Sequence, residues 1–455
     1  MKINENIFRE YDIRGIVKTD FSDLLVKDLG KSFGTYIYKK GGKIISVSGD
    51  IRESTPKLKK IFIEGILTTG ITVIDIGITS TPMNYYSMYH LNTDAAVQIT
   101  GSHNPIEFNG FKFSCKDESF YGEKIQELKK MILEQNFNIG AGKLKEQNIL
   151  NDYINMLISK ISLNKKLNIV LDCGNACGCI TAPKVLKKLG VNVKEFFCDI
   201  DCTFPNHHPD PTVDSNLKTI ISEIKTGGYD LGIAFDGDAD RIVAIDEKGN
   251  IIRSDNLMAL FLPEIITHTN KKVIYDVKCS ESLEKMIISY GGEPLMWKTG
   301  HSLIKDKMKK EKVNFAGEMS GHIFFADDFY GFDDALYVAL RLLKILSNTD
   351  KTLSDLTAKI PKYHSTPEMR IECEDDNEKI NITQQAIEYF SKNYECINID
   401  GVRIKFKNGW GLVRNSNTQP VIVCRFEASN YDDLLLIKNT VLNKLKEFGQ
   451  IKLDE

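Results

Sequence analysis

The chain contains the segment Ala95-Ala96-Val97-Gln98-Ile99-Thr100-Gly101-Ser102-His103-Asn104-Pro105. Its first five residues form a short apolar run that predicts a buried β-strand, and the small, turn-forming residues after them predict a loop at the strand end. This loop presents the hydroxyl of Ser102 beside the imidazole of His103. A serine in such a loop is usually only a turn residue. Ser102 is therefore a candidate carrier of a phosphoryl group only if the chain also supplies a metal site and ligands for an anion.

The strand and loop around Ser102 end the first of three similar units. In each unit, predicted strands and a helix precede a further short strand that runs into a distinctive loop; the first two units have two such preceding strands and the third has one. These last strands are predicted at Ala95 to Ile99, Asp230 to Phe235 and Val313 to Ala316. Alternating buried strands and amphipathic helices are typical of mixed α/β layers. Ligands in such sheets bind beyond the strand ends, so we expect the three loops to face one site.

The pattern changes from Met369 onward. A helix is predicted at Ile380 to Phe390, followed by strands and a closing helix at Tyr431 to Phe448. The sequence thus predicts an α/β protein with three similar mixed α/β domains plus a C-terminal α+β lid domain around a central cleft. The expected domains span residues 1–149, 150–252, 253–363 and 364–455.

Composition limits the class of protein. At 455 residues the chain is too long for one compact core and suits three or four domains. Its 42% hydrophobic and 27% charged residues are ordinary for a globular protein. The net charge of −3 provides no basic field for a nucleic acid, and neither a signal peptide nor a membrane-spanning run is evident. We expect a cytoplasmic monomer or weak dimer with neither nucleic-acid nor membrane partners.

Two groups of potential metal ligands are better explained as structure. The ten cysteines lack paired Cys-x-x-Cys spacing, and most lie in apolar runs, which favours buried free thiols over a zinc site. His207 and His208 are consecutive, so their side chains diverge. We interpret the segment that contains them as a structural loop.

A second loop, Asp236-Gly237-Asp238-Ala239-Asp240-Arg241, follows the predicted strand of the second unit. Its three carboxylates at alternate positions can direct oxygen atoms at one hard divalent cation. The loop follows a buried strand and lacks the arrangement of an EF-hand, in which two helices flank a loop that ends in a bidentate Glu. Mg²⁺ is therefore favoured over Ca²⁺ or a solvated acidic turn. Such a cation would also offset the repulsion between these carboxylates and a phosphate on Ser102.

Cations and hydrogen-bonding groups suited to a phosphorylated sugar occur in other segments. Phosphoryl transfer depends on positioning and charge stabilisation, and the candidate cations are Arg14, Lys112 and Arg241. A third loop, Gly317-Glu318-Met319-Ser320-Gly321-His322, offers a carboxylate and a hydroxyl for neighbouring sugar hydroxyls. The lid contains Arg414-Asn415-Ser416-Asn417-Thr418-Gln419-Pro420, where a planar guanidinium and nearby donors suit a second phosphate.

Together these segments resemble the signatures of the α-D-phosphohexomutases. The serine loop is similar to the family's T-G/A-S-H-N-P, and the acidic loop to D-G-D-G/A-D-R. The third loop matches G-E-M-S-G-H, the form found in the phosphomannomutase/phosphoglucomutase subgroup. The resemblance covers nearly the whole chain. One departure is Ser48-Gly49-Asp50-Ile51-Arg52, where the family often has G-x-D-x-R; we expect it to affect only the local backbone.

The resemblance implies a phosphohexomutase that interconverts the 1- and 6-phosphates of mannose and of glucose. Phosphorylated Ser102 would give its phosphate to the substrate, and the hexose 1,6-bisphosphate would turn over in the cleft and return its other phosphate. The implied cofactor is Mg²⁺, and glucose 1,6-bisphosphate is implied as activator or intermediate. Glu318 and Ser320 would bind the sugar O3 and O4, and no residue would bind O2. Both hexoses, which differ only at C2, would therefore be accepted.

The resemblance also implies individual roles. The implied catalytic residues are Ser102, Arg14, His103, Lys112, Arg241 and His322, with Lys112 or His322 as the proton-transfer group. The implied substrate-binding residues are Tyr11, Lys278, His301, Glu318, Ser320, His322, Arg414, Ser416, Asn417 and Thr418. The implied metal ligands are Ser102, through its phosphate, and Asp236, Asp238 and Asp240.

Three alternatives stay open at this stage. A phosphoglucosamine mutase is disfavoured by Met319 and by the context of Gly300-His301. A sugar phosphatase would use a similar phosphoenzyme but admit water, so it would release inorganic phosphate. A non-catalytic sugar-phosphate sensor would have no need for a metal at the serine loop.

Overall fold

The computed structural model describes residues 3–416, 420–449 and, for the backbone alone, 452–453. The first part of the chain forms a six-stranded sheet in the order β1-β5-β4-β2-β3-β6. Its strands are β1 Ile13–Ile16, β2 Ile44–Gly49, β3 Thr72–Ile78, β4 Ala95–Ile99, β5 Phe108–Cys115 and β6 Leu144–Glu146. The accompanying helices are α1 Val17–Asp20, α2 Asp23–Lys39, α3 Thr55–Leu67, α4 Thr81–His90 and α5 Glu123–Glu134.

Two further sheets repeat this plan. The second sheet has the order β11-β10-β9-β7-β8 and the third β13-β12-β14-β15. The second unit comprises α6 Leu150–Ser159, β7 Asn168–Asp172, α7 Gly178–Lys188, β8 Asn192–Phe196, α8 Lys218–Ile224, β9 Leu231–Phe235, β10 Ile242–Asp246 and β11 Ile251–Ile252. The third comprises α9 Ser254–Ile265, β12 Lys272–Asp276, α10 Glu281–Ser289, β13 Glu293–Trp297, α11 His301–Glu311, β14 Phe315–Gly317, β15 Ile323–Phe325, α12 Ala335–Ser347 and α13 Leu353–Thr357.

The C-terminal part is built differently. Antiparallel pairing dominates its sheet, which runs β18-β19-β20-β21-β17-β22 with β16 beside β21. Its elements are β16 His364–Ser365, β17 Met369–Glu372, α14 Asp376–Asn393, β18 Cys396–Ile397, β19 Val402–Phe406, β20 Gly409–Asn415, β21 Val421–Ala428, α15 Tyr431–Phe448 and β22 Lys452–Leu453. The predicted α/β class, with three similar units and an α+β lid, is therefore confirmed.

The three distinctive loops occupy equivalent positions in the repeated sheets. In each unit one strand has a parallel neighbour on one side and an antiparallel neighbour on the other. The parallel pairs are β4 with β2, β9 with β7 and β14 with β12. The antiparallel pairs are β4 with β5, β9 with β10 and β14 with β15. Each distinctive loop joins such a strand to its antiparallel partner. The strands β4 and β9 are completely buried, as their apolar sequences predict. Three rigid strand ends thus hold the loops.

Helix α4 and the second and third sheets share one large apolar core, whereas the first sheet and the lid have cores of their own. Extensive packing of this kind fixes the loops of the second and third units relative to each other. In the part of the chain that the structure describes, no helix has both the length and the apolar character needed to cross a membrane.

Candidate functional site

Ser102 lies at the meeting point of the first two loops. Its side chain is buried, and Oγ donates a hydrogen bond to Asp236 Oδ2 at 3.2 Å and lies 3.1 Å from Nδ1 of His103. Burial, together with the charges of Arg241 and Arg14, holds the pKa of His103 well below its usual value. The His103 imidazole is therefore neutral and can accept a hydrogen bond from the serine. The hydroxyl has two acceptors within reach.

The backbone at Ser102 is strained. Its φ of +49° lies in the left-handed region that non-glycine residues rarely adopt. Gly237 of the acidic loop packs directly against this turn, and a Cβ at that position would lie 2.2 Å from the carbonyl oxygen of Ser102. The glycine between Asp236 and Asp238 is therefore required for the two loops to approach each other.

Arg52 holds the serine loop from behind. It is almost completely buried, and its two terminal nitrogens donate to four backbone carbonyl oxygens. The acceptors are the carbonyls of Ser102 at 3.0 Å, Asn104 at 2.6 Å, Pro105 at 2.7 Å and Phe108 at 3.1 Å. Asp50 completes the arrangement, with Oδ2 at 3.3 Å from Arg52 Nε and accepting from the Gly101 amide at 2.9 Å.

Sequence reasoning missed the role of Arg52 because it treated Ser48 to Arg52 as a matter of local backbone. An Asp-x-Arg at the end of β2, the parallel neighbour of β4, was the signal available. Thr81 was also missed. Its Oγ1 donates to Asp238 Oδ2 at 2.6 Å and its amide to the Asp238 carbonyl at 3.0 Å, so the start of α4 supports the acidic loop.

The acidic loop gathers Asp236, Asp238 and Asp240 into a buried cluster with their ligand atoms within 4.8 Å of one another. Burial and repulsion from the other two carboxylates raise the pKa of Asp236 well above its usual value. Lys112 offsets part of this charge, since Nζ donates to Asp238 Oδ2 at 2.9 Å and to Asp240 Oδ2 at 2.5 Å.

Two oxygen atoms of the cluster remain uncompensated. Asp238 Oδ1 and Asp240 Oδ1 are both buried and have no hydrogen-bond partner among the described residues. A buried acceptor without a partner is costly, and hard divalent cations bind carboxylate oxygens. The residues present therefore fit a divalent cation at this loop.

Arg14 and Arg241 approach the serine from two other directions. Arg14 donates to Asn104 Oδ1 at 2.7 Å and to Asp12 Oδ2 at 2.8 Å. Arg241 Nε lies 3.9 Å from Asp236 Oδ2 and donates to Nε2 of His322 at 2.9 Å. The structure thus brings both predicted cations to the serine loop, as it does Lys112.

His322 links the third loop to this cluster. Because Nε2 accepts from Arg241, the ring proton is assigned to Nδ1. Nδ1 lies 2.9 Å from Asp333 Oδ2 and 3.6 Å from Asp240 Oδ1, although neither contact is aligned as a hydrogen bond. The other oxygen of Asp333 accepts from Lys305 at 3.0 Å. Sequence reasoning missed Asp333 and Lys305, which belong to different elements from His322.

The remaining predicted sugar ligands line the third unit. Glu318 Oε1 accepts from the Gly300 amide at 2.5 Å, whereas Oε2 is buried without a hydrogen-bond partner among the described residues. His301 Nε2 is likewise buried and unpaired there, 3.8 Å from Asp12 Oδ1. Lys278 Nζ donates to Glu368 at 3.1 Å, and Ser320 is partly exposed. Unpaired polar atoms of this kind suit a ligand rich in hydroxyl groups.

The lid reaches the site through Arg414. Its Nε donates to Asp400 Oδ2 at 2.9 Å, and the same oxygen accepts from the Thr299 amide at 3.1 Å. Tyr11 donates to the Thr299 carbonyl at 2.5 Å, so this chain of contacts joins the first sheet, the third unit and the lid. Ser416 donates its amide to the Val421 carbonyl at 2.9 Å. The predicted ligands Asn417 and Thr418 lie outside the described residues.

The loop with His207 and His208 supports the serine loop. His208 Nε2 contacts the His103 carbonyl, and His207 contacts Asp172 Oδ2 through Nε2 at 3.0 Å and the His208 carbonyl through Nδ1 at 2.9 Å. Both ring nitrogens of His207 thus meet acceptors. Burial lowers its pKa, but the contacts with Asp172 outweigh burial and raise the pKa above its usual value.

We therefore expect His207→Gln to destabilise the protein more at pH 6 than at pH 9. A histidine whose folded pKa is raised contributes stability that is fully present below the unfolded pKa of about 6.5 and is lost as the pH rises through the folded pKa. Thermal unfolding of both proteins at the two pH values measures the effect. The exposed His268, changed to Gln, is the control. An equal loss at both pH values would show that His207 is not charged.

Comparisons with known proteins agree with this geometry. Four segments match the domains of the phosphoglucomutase/phosphomannomutase family. Residues 5–138 match alpha/beta/alpha domain I, 151–249 match domain II, 253–363 match domain III and 368–444 match the C-terminal domain. The phosphomannomutase/phosphoglucomutase of Pseudomonas putida is 40% identical over 444 residues, which cover 97% of this chain and 96% of that protein.

Solved structures extend the comparison. A phosphoglucomutase/phosphomannomutase family protein from Burkholderia thailandensis superposes with a TM-score of 0.92 and 36% identity, over 99% of this chain and 100% of that one. A more distant structure, the N-acetylphosphoglucosamine mutase of Aspergillus fumigatus in complex with GlcNAc-6P and magnesium, has a TM-score of 0.60 and 15% identity, covering 93% of this chain and 96% of that one. The second likeness concerns the fold alone.

Proposed function

The chain belongs to the phosphoglucomutase/phosphomannomutase family and is a phosphohexomutase that interconverts the 1- and 6-phosphates of mannose and glucose, and we propose that Ser102 carries the phosphoryl group in this reaction. The observation that supports Ser102 is its position. A buried hydroxyl on a strained turn lies 3.2 Å from a carboxylate of the acidic cluster, with neutral His103 at 3.1 Å. We also propose that the four domains span residues 1–149, 150–252, 253–363 and 364–455.

Asp236, Asp238 and Asp240 would hold Mg²⁺ together with the phosphate on Ser102. When bound, this cation neutralises charge and withdraws electrons from the phosphoryl oxygens. Lys112, Arg14 and Arg241 supply the protein's own positive charge at the transferring group. Although burial lowers the pKa of Lys112, Asp238 and Asp240 outweigh it and hold that pKa above its usual value. Lys112 therefore stays protonated and acts as a fixed cation.

His322 is then the better candidate for accepting the proton of the attacking sugar hydroxyl. Its proton faces Asp333, so Nε2 carries the lone pair. Arg241 occupies this lone pair in the structure at 2.9 Å. When Arg241 turns to a phosphate, Nε2 becomes available to the hydroxyl. Asp333 orients the ring and stabilises the imidazolium that forms.

The substrate is a hexose phosphate. Glu318 offers a buried, unpaired Oε2, and Ser320 lies two residues along the same loop. We propose that they bind O3 and O4 and that O2 has no dedicated partner. Glucose and mannose would then bind almost equally, because strong discrimination between such isomers needs a polar group in the site that is dedicated to O2. Glucose 1,6-bisphosphate would serve as intermediate and activator.

A coupled assay of glucose 1-phosphate, mannose 1-phosphate and glucosamine 1-phosphate tests the specificity. Comparable kcat/KM for the first two, with little turnover of the third, is the expected result. Faster turnover of glucosamine 1-phosphate than of the other two would contradict the proposed specificity for glucose and mannose. Release of inorganic phosphate in place of isomerisation would favour a phosphatase.

Arg414→Ala is expected to weaken both directions of the reaction together. A bisphosphate must bind in two opposite orientations, so whichever phosphate is distant from Ser102 meets the same lid residues. Loss of a charge-assisted contact should lower kcat/KM by about 30- to 1000-fold, or roughly 2 to 4 kcal/mol. The variant should also depend more on added glucose 1,6-bisphosphate, because the intermediate escapes before it turns over.

Initial rates from each phosphate isomer, measured away from equilibrium, give the result for Arg414→Ala. Lys405→Ala is a suitable control, because Lys405 lies on the neighbouring strand of the lid sheet and is half exposed. An Arg414 variant that is impaired with only one isomer would show that the lid is not a shared receptor for both phosphates.

A further inference from the structure

A second cleft lies between the first and third units, away from the residues assigned to the reaction. Its volume is about 410 Å³, within the range of about 300 to 1,000 Å³ that is usual for small-molecule sites. Helix α4 and the end of β5 form one wall. Helix α11 and the segment after β15 form the other.

The cleft carries an excess of positive charge. Four lysines line it, against a single carboxylate, Glu118, among the described lining residues. Glu118 is already occupied, since Tyr36 donates to it at 2.5 Å and Lys124 lies at 2.9 Å. The lysines are Lys116, Lys305, Lys309 and Lys312. Lys116 donates to the Asn92 side-chain oxygen and Lys309 to the Asp117 carbonyl, and both of these acceptors are uncharged.

Aromatic rings form the other surface of the cleft. Tyr330 and Phe332 are parallel, with 5.6 Å between ring centroids and an interplanar angle of 2°. Tyr89 packs on Tyr330 at 4.6 Å and is 42% exposed. Phe332 is buried behind Tyr330, so Tyr89 and Tyr330 are the rings with exposed surface, and such rings stack on a planar ligand. Ser114, Ser119 and Asn314 also line the cleft and add hydrogen-bonding groups.

We propose that this cleft binds a nucleoside phosphate, with the base against Tyr89 and Tyr330 and the phosphate at Lys309 and Lys312. A planar base suits the rings, ribose hydroxyls suit the polar groups, and lysine ammonium groups bind phosphate as point charges. A simple sugar phosphate would leave the rings unused, and an uncharged aromatic compound would leave the lysines unused.

The cleft is connected to the catalytic residues through Lys305. Its Nζ lies 4.1 Å from the Tyr85 ring centroid and donates to Asp333 at 3.0 Å. Asp333 in turn lies 2.9 Å from His322 Nδ1. Lys305, Lys309 and Lys312 follow one face of helix α11 and its C-terminal end at spacings of four and three residues, and all three line the cleft. A phosphate at Lys309 and Lys312 therefore also attracts the Lys305 ammonium, which weakens its hold on Asp333, the carboxylate beside His322. Occupancy of the cleft should therefore lower kcat and leave KM for the sugar phosphate unchanged.

Binding is measured by calorimetry on the full chain, with the catalytic cleft saturated by glucose 1,6-bisphosphate. The probes are AMP and GMP, with adenosine, guanosine and inorganic phosphate as comparison ligands. We expect at least one mononucleotide to bind clearly more tightly than its nucleoside or inorganic phosphate. Lys309→Glu/Lys312→Glu should bind it about ten-fold more weakly or worse, with basal turnover unchanged. Lys310→Glu, on the same helix but outside the cleft, is the matched control.

Three results would overturn the proposal: no binding of either mononucleotide, equal binding of inorganic phosphate alone, or unchanged affinity in the folded double variant. Tyr89→Ala tests the aromatic surface independently, and it should weaken the mononucleotide but not inorganic phosphate. A fall in kcat of about two-fold or more at saturating sugar phosphate supports the link through Lys305. Binding without any change in kcat would overturn that link.

Discussion

Ser102→Ala is expected to remove nearly all turnover, by roughly 10⁴-fold or more, as is usual when a nucleophile that acts as part of a unit is lost. The hydroxyl is the atom that carries the phosphoryl group in the proposed reaction, and alanine leaves the surrounding charges in place. Folding should be unaffected, because Arg52 holds the loop through backbone carbonyls that alanine retains. Intact-mass analysis should find one phosphate on the wild-type protein and none on the variant.

Thr81 provides the control for this experiment. Its hydroxyl is also bonded to the acidic loop: it is completely buried and donates to Asp238 at 2.6 Å. Thr81→Val should therefore still carry phosphate even if turnover falls. A Ser102→Ala enzyme with wild-type activity, or one that still carries the phosphate, would remove Ser102 from its role.

Ser102→Gly distinguishes the catalytic effect of losing the hydroxyl from the effect of the strained backbone on stability. A left-handed residue with a side chain costs about 1 to 2 kcal/mol relative to the right-handed form, and glycine avoids this cost. We expect Ser102→Gly to be as inactive as Ser102→Ala but to unfold at a higher temperature. The serine would then be kept for chemistry at a cost in stability.

Much of the architecture could be predicted because it depends on local patterns. The apolar runs at Ala95 to Ile99 and Asp230 to Phe235 and the turn residues after them predict buried strands with loops at their ends. The structure has the first strand with those bounds and the second at Leu231–Phe235, one residue shorter. The loops with Ser102 and with the three aspartates were recognisable because their chemistry lies within six or seven consecutive residues.

The supporting contacts could not be predicted, because they join residues far apart in the chain. Arg52 binds carbonyls about fifty residues away, and Lys305 acts on His322 through Asp333, on a third segment. From sequence alone, a lysine on an amphipathic helix is interpreted as a solvated surface charge. Only the folded structure brings Lys305 of α11 beside Tyr85 of α4 and within hydrogen-bond distance of Asp333. Likewise, the sequence indicates an arginine in the lid but not that Asp400, itself bound by the Thr299 amide, holds it.

Removal of divalent cations is expected to stop turnover, and added Mg²⁺ should restore it. In the described part of the chain, the lysine and arginines assigned to three carboxylates and a phosphoserine, which carries about −1.5 to −2 charges at neutral pH, are Lys112, Arg14 and Arg241. The excess is about two negative charges in a buried site, which matches one divalent cation. Asp238→Asn should give a similar loss, of roughly 10³-fold, because it removes an unpaired buried oxygen and a partner of Lys112.

A readout other than activity separates a metal site from a buried ion pair with Lys112. Because a ligand that binds only the folded state stabilises it by RT ln(1 + [L]/Kd), Mg²⁺ should raise the unfolding temperature of the wild-type protein but not of Asp238→Asn. Asp246→Asn is the control, since Asp246 is equally buried but lies at the far end of β10. Turnover in the chelated samples should be measured by direct separation of the sugar phosphates, because many of the enzymes used in coupled assays need a metal themselves. Full activity after exhaustive chelation, with elemental analysis finding no metal, would mean that Lys112 and the two arginines balance the phosphoserine unaided.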